Sequence, residues 1–279
     1  MSHLGTVRRN YIGADLQCLN NYNGVFNKIQ EIGRKENNPL PTKEDNWIIC
    51  DMNIVITNEI KNIRLLMQYF YNYGFKLGGI SLVDGLARRL HFNKLYIKTS
   101  IKRKEICQDY IKRNYSEIIE KYRNYQEIED KKIGNDYTIW IFWWQGESNM
   151  PYPVDLCLNS VKRHMGEHQI VLVSKDNYSN YLDVPQYMLQ KLEMGKISYA
   201  HFSDYVRVAL LAQYGGMWID STFYMTDSFS VDFSGYSFFS INHGGEKSWV
   251  ASNDLWSICL LACNKNYKLM LFLKELMEC

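Results

Sequence analysis

No stretch of this chain approaches the ~18 to 20 consecutive apolar residues that a helix needs to span a bilayer, and the amino-terminal MSHLGTVRRN lacks the apolar core of a secretory signal. The expectation from both absences is a cytoplasmic protein. Cys-x-x-Cys pairs are missing too. The seven cysteines (Cys18, Cys50, Cys107, Cys157, Cys259, Cys263 and Cys279) are odd in number and scattered, so reduced thiols are the simplest reading. Cys259 and Cys263 would share a helical face in SICLLAC, yet no histidine lies near them to complete a zinc set. His164 and His168 have the spacing of a metal-binding helix, but Gly166 separates them and no glutamate follows His164. Disorder is excluded as well, since 46% of the 279 residues are hydrophobic, enough for one large core or two modest ones.

The small net charge of +2 hides an asymmetry. Residues 1–135 hold 22 Lys/Arg against 15 Asp/Glu, whereas residues 136–279 hold 10 against 15. The basic excess is densest in the run from Lys94 to Arg113, which suits a solvated helix face, an anionic membrane surface or nucleic acid.

Three segments follow from the local patterns. Residues 1–45 are a polar, loosely ordered leader ending in Asn38-Pro39-Leu40-Pro41. Residues 46–135 form a helical, basic region with an apolar stripe at Ile63, Leu66, Met67, Phe70 and Tyr71, interrupted at Gly74, Gly78 and Gly79. Lys131 to Asn135 marks the boundary to a core over 136–279. That core opens with Tyr137 to Gly146, a continuous apolar run closed by glycine, as for a parallel strand buried on both faces. A helical pattern over Val154 to His164 and a second strand over Gln169 to Val173 complete a βαβ unit. Short strands at Phe229–Val231 and Ser237–Ile241, a turn at His243-Gly244-Gly245 and a final helix from Leu255 or Asn266 to Leu276 follow.

The densest chemistry lies in YAHFSDYVRVALLAQYGGMWIDST, Tyr199 to Thr222. Val206, Ala209, Leu210 and Gln213 share a helical face, and Gly215-Gly216 can supply the positive φ that ends the helix. Asp204 and Arg207 stand one turn apart, presenting an acceptor carboxylate and a five-donor guanidinium to one ligand, which suits a hydroxyl-rich sugar next to a phosphate. Met217-Trp218-Ile219 is a short buried strand that leaves Asp220 at its carboxyl end, where ligands of open α/β sheets gather.

The succession Ser203-Asp204-Tyr205-Val206-Arg207, Gly215-Gly216 and Asp220-Ser221-Thr222 resembles the glycosyltransferases of capsular polysaccharide synthesis. More distantly it is similar to the initiating mannosyltransferases of yeast and the glucosyltransferase domains of large clostridial toxins. Those relatives carry SDxxR, GG and a strand ending in Asp-x-Asp; here Thr222 replaces the second carboxylate, as is common in the capsular branch. The resemblance spans roughly residues 137 to 275. It implies an α/β fold with a GT-A-like, Rossmann-type nucleotide-binding core, and a retaining transfer from a UDP- or GDP-sugar to a glycan or lipid-linked saccharide acceptor of a bacterial surface polysaccharide. Since family members usually continue further, it also implies a truncated chain.

In that picture Asp204 accepts hydrogen bonds from donor hydroxyls, Arg207 orients the sugar and neutralises the phosphate side, and Trp143 lies on the nucleotide base. Ser203, Gly216 and Trp249 complete the donor contacts, with Ser252 and Asn253 near Trp249. Asp220, with at most a hydroxyl from Thr222, holds Mn²⁺ or Mg²⁺ weakly and in dependence on the donor's phosphates. Trp140 and Trp144 alternate to the other face and read as core. Peripheral membrane contact through Lys94–Arg113 would bring the enzyme to a lipid-linked acceptor at the inner face of the plasma membrane. A non-catalytic nucleotide-sugar-binding partner in an assembly complex is the alternative. Nucleic acid is not an expected partner, because binding through the basic run with Tyr96, Tyr110 and Tyr115 leaves the Asp204, Arg207 and Asp220 constellation unexplained.

Overall fold

The structure, a computed structural model, describes residues 52–126, 132–227, 231–233, 235–242 and 256–279. The leader over 1–45, the turn at 243–245, Trp249, Ser252, Asn253 and the start of the expected Phe229 strand lie outside the described residues. The chain divides into two compact units. One comprises, among described residues, Ile118–Asn242 and Trp256–Cys279; the other holds the helices up to Glu117.

The second unit is a helical hairpin. Helix α1 (Met52–Arg89) is broken at Gly74, where φ is 78°, and α2 (Asn93–Asn114) packs back along it. Their contact is held by a buried carboxylate. Asp84 accepts hydrogen bonds from Thr99 Oγ1 at 3.0 Å and Ser100 Oγ at 2.7 Å, and pairs with Arg103 Nη1 at 3.0 Å. Burial of Asp84 is tolerated because three donors from one face of α2 replace its water.

The first unit is a mixed α/β layer structure. After α3 (Ser116–Arg123), the elements are β1 (Ile139–Phe142), α4 (Tyr152–His164), β2 (Ile170–Val173), α5 (Gln186–Glu193), α6 (Tyr199–Tyr214), β3 (Gly216–Ile219), β4 (Phe238–Ser240), β5 (Leu260–Cys263) and α7 (Lys268–Met277). The five strands lie in the order β2-β1-β3-β5-β4. β1 runs parallel to β2 and β3, while β5 is antiparallel to β3 and β4. Alternation explains why β1 is apolar throughout: Trp140 and Phe142 enter a core with α5, α6 and α7, whereas Ile139 and Ile141 enter another with Leu158 and Val161 of α4.

Three expectations are corrected. SICLLAC is not helical: Leu260–Cys263 is strand β5, buried on both faces, and the closing helix begins at Lys268. Val231 is not in a strand. Of the glycines in the hairpin, Gly74 breaks α1, whereas Gly78 and Gly79 stay helical.

The sheet's connectivity fixes where a ligand can sit. From β1 the chain crosses through α4 to β2 on one side, then returns through α5 and α6 to β3 on the other. The carboxyl ends of β1 and β3 therefore flank a topological switch point, the crevice where open α/β sheets bind ligands.

Candidate functional site

The switch point is furnished by the residues that immediately follow its strands. Trp143 follows β1 and anchors its backbone by donating to Val173 O at 3.0 Å. Asp220 follows β3, its N–H held by Cys259 O at 2.9 Å. Helix α6 delivers the third component. Ser198 caps its first turn, accepting from His201 N, and Gly215 at φ 69° ends it while its N–H donates to Leu211 O. Every residue of α6 from Tyr205 to Ala212 is buried, Arg207 among them.

Arg207 is 6% exposed in its side chain and forms a bridge: Nη1 donates to Asp204 Oδ1 at 2.7 Å, and Nη2 donates to Asp220 Oδ1 at 2.8 Å. Its guanidinium also lies over the Trp218 ring, 4.9 Å from the centroid. Trp218 Nε1 in turn donates to Asp220 Oδ1 at 2.6 Å. Two carboxylates and an aromatic face are what a buried guanidinium needs to offset its lost hydration. The flanking acids are more open, Asp204 at 42% and Asp220 at 27% exposed. The trio carries a net charge of −1, and Arg207 Nε has no partner among the described residues. Each carboxylate spends Oδ1 on Arg207.

The turn after β3 is closed by Phe223 N donating to Asp220 O at 2.9 Å. Thr222 is exposed on this turn. A cation site built on Asp220 and Thr222 would draw one carboxylate and one hydroxyl from the chain, and among the described residues no group of three His, Cys, Asp or Glu gathers. That donor set fits a hard divalent ion only when substrate phosphates and water supply most of its ligands, the usual habit of Mg²⁺.

Beside Trp143, a polar cleft of ≈ 650 Å³ opens at the ends of β1 and β2, lined by Gln145, Glu147, Asn149, Ser174, Asp176 and Asn177 among others. Trp143 is half-buried, and its Nε1 is buried with no partner among the described residues. Ser203 is half-buried on α6, next to Asp204. Gly216 is not at this end. It starts β3, roughly 13 Å of strand before Asp220. A Cβ there, at φ 94°, would meet Thr138 O at 2.4 Å, so this glycine serves the close approach of β3 to β1.

The remaining sequence candidates fall into ordinary roles. Trp140 is core, donating from Nε1 to Gly215 O at 2.9 Å, and Trp144 packs among Tyr178, Tyr199 and Phe202. His168 stacks on Tyr137 with ring centroids 4.1 Å apart. Cys107, Cys157, Cys259, Cys263 and Cys279 are free thiols; burial pushes Cys157 up to about 12. Trp218 was read only as strand, and its indole turns out to complete the site. The period-2 step from Trp218 to Asp220, both on one strand face, was the available signal.

The description "capsular polysaccharide synthesis protein" matches residues 88–278, more than half of the chain. The chain belongs to that family. The match begins in the hairpin and spans the whole sheet with its switch point. Among curated proteins, an O-glycosyltransferase braB of Annulohypoxylon truncatum is 32% identical over 98 residues, covering 32% of this chain and 23% of the relative. The chain therefore spans less than a quarter of that relative's length. No solved structure matches.

Proposed function

We propose that the protein is a GT-A-type, retaining hexosyltransferase that moves a sugar from a UDP- or GDP-sugar to a growing capsular or surface polysaccharide, or to its lipid-linked precursor. The observation that carries the reading is the Asp204–Arg207–Asp220 bridge at the switch point, a buried cation held between two half-open carboxylates. Asp204 Oδ2 accepts from donor-sugar hydroxyls. Arg207, fixed by Asp220, sets its positive charge on the sugar–phosphate side of the site. Trp143 forms the platform for the base, with the polar cleft beside it for the nucleoside. Ser203 adds a hydroxyl from the same helix.

A divalent cation, Mn²⁺ or Mg²⁺, would be held by Asp220 Oδ2 and Thr222 with the donor's phosphates, and when bound it neutralises charge developing on the leaving diphosphate. The reading asks no side chain of the trio to act as a dedicated base. This is in keeping with front-face transfer, in which the departing phosphate takes the acceptor's proton. The basic region over Lys94–Arg113 belongs to the same reading as the part that meets a membrane.

Donor hydrolysis and binding across UDP- and GDP-sugars, with and without Mn²⁺, test it, using the chain beside an Asp220→Asn variant. Metal-stimulated hydrolysis of one donor, lost in the variant, supports the enzyme. Binding without turnover would make the protein a non-catalytic nucleotide-sugar partner. No binding to any donor, or inverted anomers in the product, would overturn the assignment or its retaining stereochemistry respectively.

A further inference from the structure

The helical hairpin carries an apolar surface that remains exposed among the described residues. After the break at Gly74, Phe75, Leu82, Leu86 and Leu90 recur at spacings of seven, four and four, one face of a helix. All four are exposed, Phe75 at 86%, and Phe92 and Leu95 extend the exposure through the turn into α2. Just before the break Tyr71 is 92% exposed. Clustered exposure on this scale marks an interaction surface rather than scattered surface apolars.

Beside this face runs a groove of ≈ 800 Å³ between α1 and α2. Its lining mixes the apolar Ile80, Val83 and Ile106 with Lys76, Lys102, Lys112, Arg113, Asp109 and Gly79. The two helices together carry 12 Lys/Arg against 4 Asp/Glu, a net charge of +8. No described helix is long and apolar enough to cross a membrane.

We infer that the hairpin docks on an anionic bilayer surface, with the Phe75–Leu90 face lying at the acyl boundary and the groove's cations at the lipid phosphates. Apolar stripe, basic flanks and short reach are the properties of an interfacial helix. Charge complementarity selects this occupant: a second copy of the chain would set +8 against +8, whereas anionic lipid gains from each lysine brought near it. The groove fits the same partner, because a lining of apolar and cationic side chains takes a chain and its phosphate together. The sequence assigned membrane contact to the basic run Lys94–Arg113 alone; the structure adds the apolar face of α1. The inference deepens the membrane contact proposed for Lys94–Arg113, and because it is tested by binding and not by turnover, its failure is distinguishable from a failure of the reading of the α/β core.

The test is flotation of the full chain with vesicles of phosphatidylcholine alone or with one-third phosphatidylglycerol, over a range of salt. The expected result is flotation with the anionic vesicles only, weakening as salt rises. Lys76→Glu with Lys112→Glu should cut partitioning by about fivefold per lysine removed, roughly 25-fold for the pair. Phe75→Ser with Leu90→Ser should cut it by ~10-fold or more. Unchanged helical circular dichroism and melting in both pairs would show that the fold is intact. Equal flotation with neutral vesicles, insensitivity to both pairs, or full competition by millimolar inorganic phosphate would overturn the inference. So would a dimer in sedimentation that the Phe75 and Leu90 changes dissolve in the absence of vesicle binding.

Discussion

Removing the charge of Asp220 while keeping its oxygen separates what this residue does for the fold from what it does for chemistry. Asp220 Oδ1 is the shared acceptor of Arg207 Nη2 at 2.8 Å and Trp218 Nε1 at 2.6 Å. Asp220→Ala strips both donors at once. A buried donor left unmade costs about 1 to 3 kcal/mol, and breaking one arm of a fully buried ion pair about 3 to 5 kcal/mol. Arg207 is buried, but Asp220 is 27% exposed and Asp204 still holds the other nitrogen. Water can therefore reach part of the gap, and the expected loss is about 2 to 3 kcal/mol. Asp220→Asn keeps a carbonyl oxygen for the same two donors, which themselves dictate that oxygen and not NH₂ faces them. It forfeits only the charge assistance, about 1 kcal/mol.

At ~2 to 4 °C per kcal/mol for a chain of this size, Ala should melt about 4 to 12 °C lower than the parent and Asn about 2 to 4 °C lower. Turnover should separate differently. Both variants lose the charge that, on the proposed reading, serves the donor's phosphate side, so both should fall by roughly 100-fold or more in kcat/KM. Thermal melts and donor-hydrolysis rates measured on the same preparations decide the matter. Melting of Ala indistinguishable from Asn would show that the bridge does not hold Arg207 in place. Asn turnover within threefold of the parent would show that the charge of Asp220 is not used.

Trp143→Ala should raise the donor KM by about 5- to 100-fold, from ~1 to 3 kcal/mol of lost stacking, with kcat little changed and Trp143→Phe recovering part of it in the same kinetic assay. Gly216→Ala should cost ~3 kcal/mol or more, because the new Cβ meets Thr138 O at 2.4 Å on a backbone at φ 94°, and soluble yield with melting will report it. Glu275 is held below the usual glutamate value by its hydrogen bond from Lys121 and then by Tyr122, against some opposing desolvation. A depressed folded value adds stability that is present above the unfolded value, about 4 to 4.5, and is lost as pH falls through the folded one. Glu275→Gln should therefore flatten the acid limb of a stability-against-pH curve while leaving activity at neutral pH unchanged.

The strands that build the switch point were legible because parallel strands buried on both faces are apolar without interruption, as Ile139–Phe142 and Ile170–Val173 are. β5 was not, for the same physical reason. Leu260–Cys263 is apolar on both faces, and Cys259 and Cys263 four apart satisfy a helical pattern as well as a buried strand does. Asp204, Arg207 and Asp220 were visible as residue types at suggestive spacing. Their joining through Arg207, and the burial that gives the bridge its strength, depend on which strand α6 packs against, and residue types do not encode that. Gly216 was attached to the donor because it stands in the motif, although its geometry belongs to the approach of β3 to β1.

That misplacement also explains why the motif has the spacing it has. Arg207 lies eight residues before Gly215, ~12 Å back along the helix axis. Asp220 lies five residues after it, ~16 Å forward along the strand. Because Gly215 reverses the chain and Gly216 lets β3 start at once against Thr138 O, the two distances are measured from one corner in nearly the same direction. Their difference of ~4 Å is within the span of an arginine side chain, and the guanidinium arrives 2.8 Å from Asp220. The glycines therefore set the length of the bridge: a looser corner would move Asp220 along the strand or turn it to the other face, and the buried cation would lose the carboxylate that makes its burial tolerable.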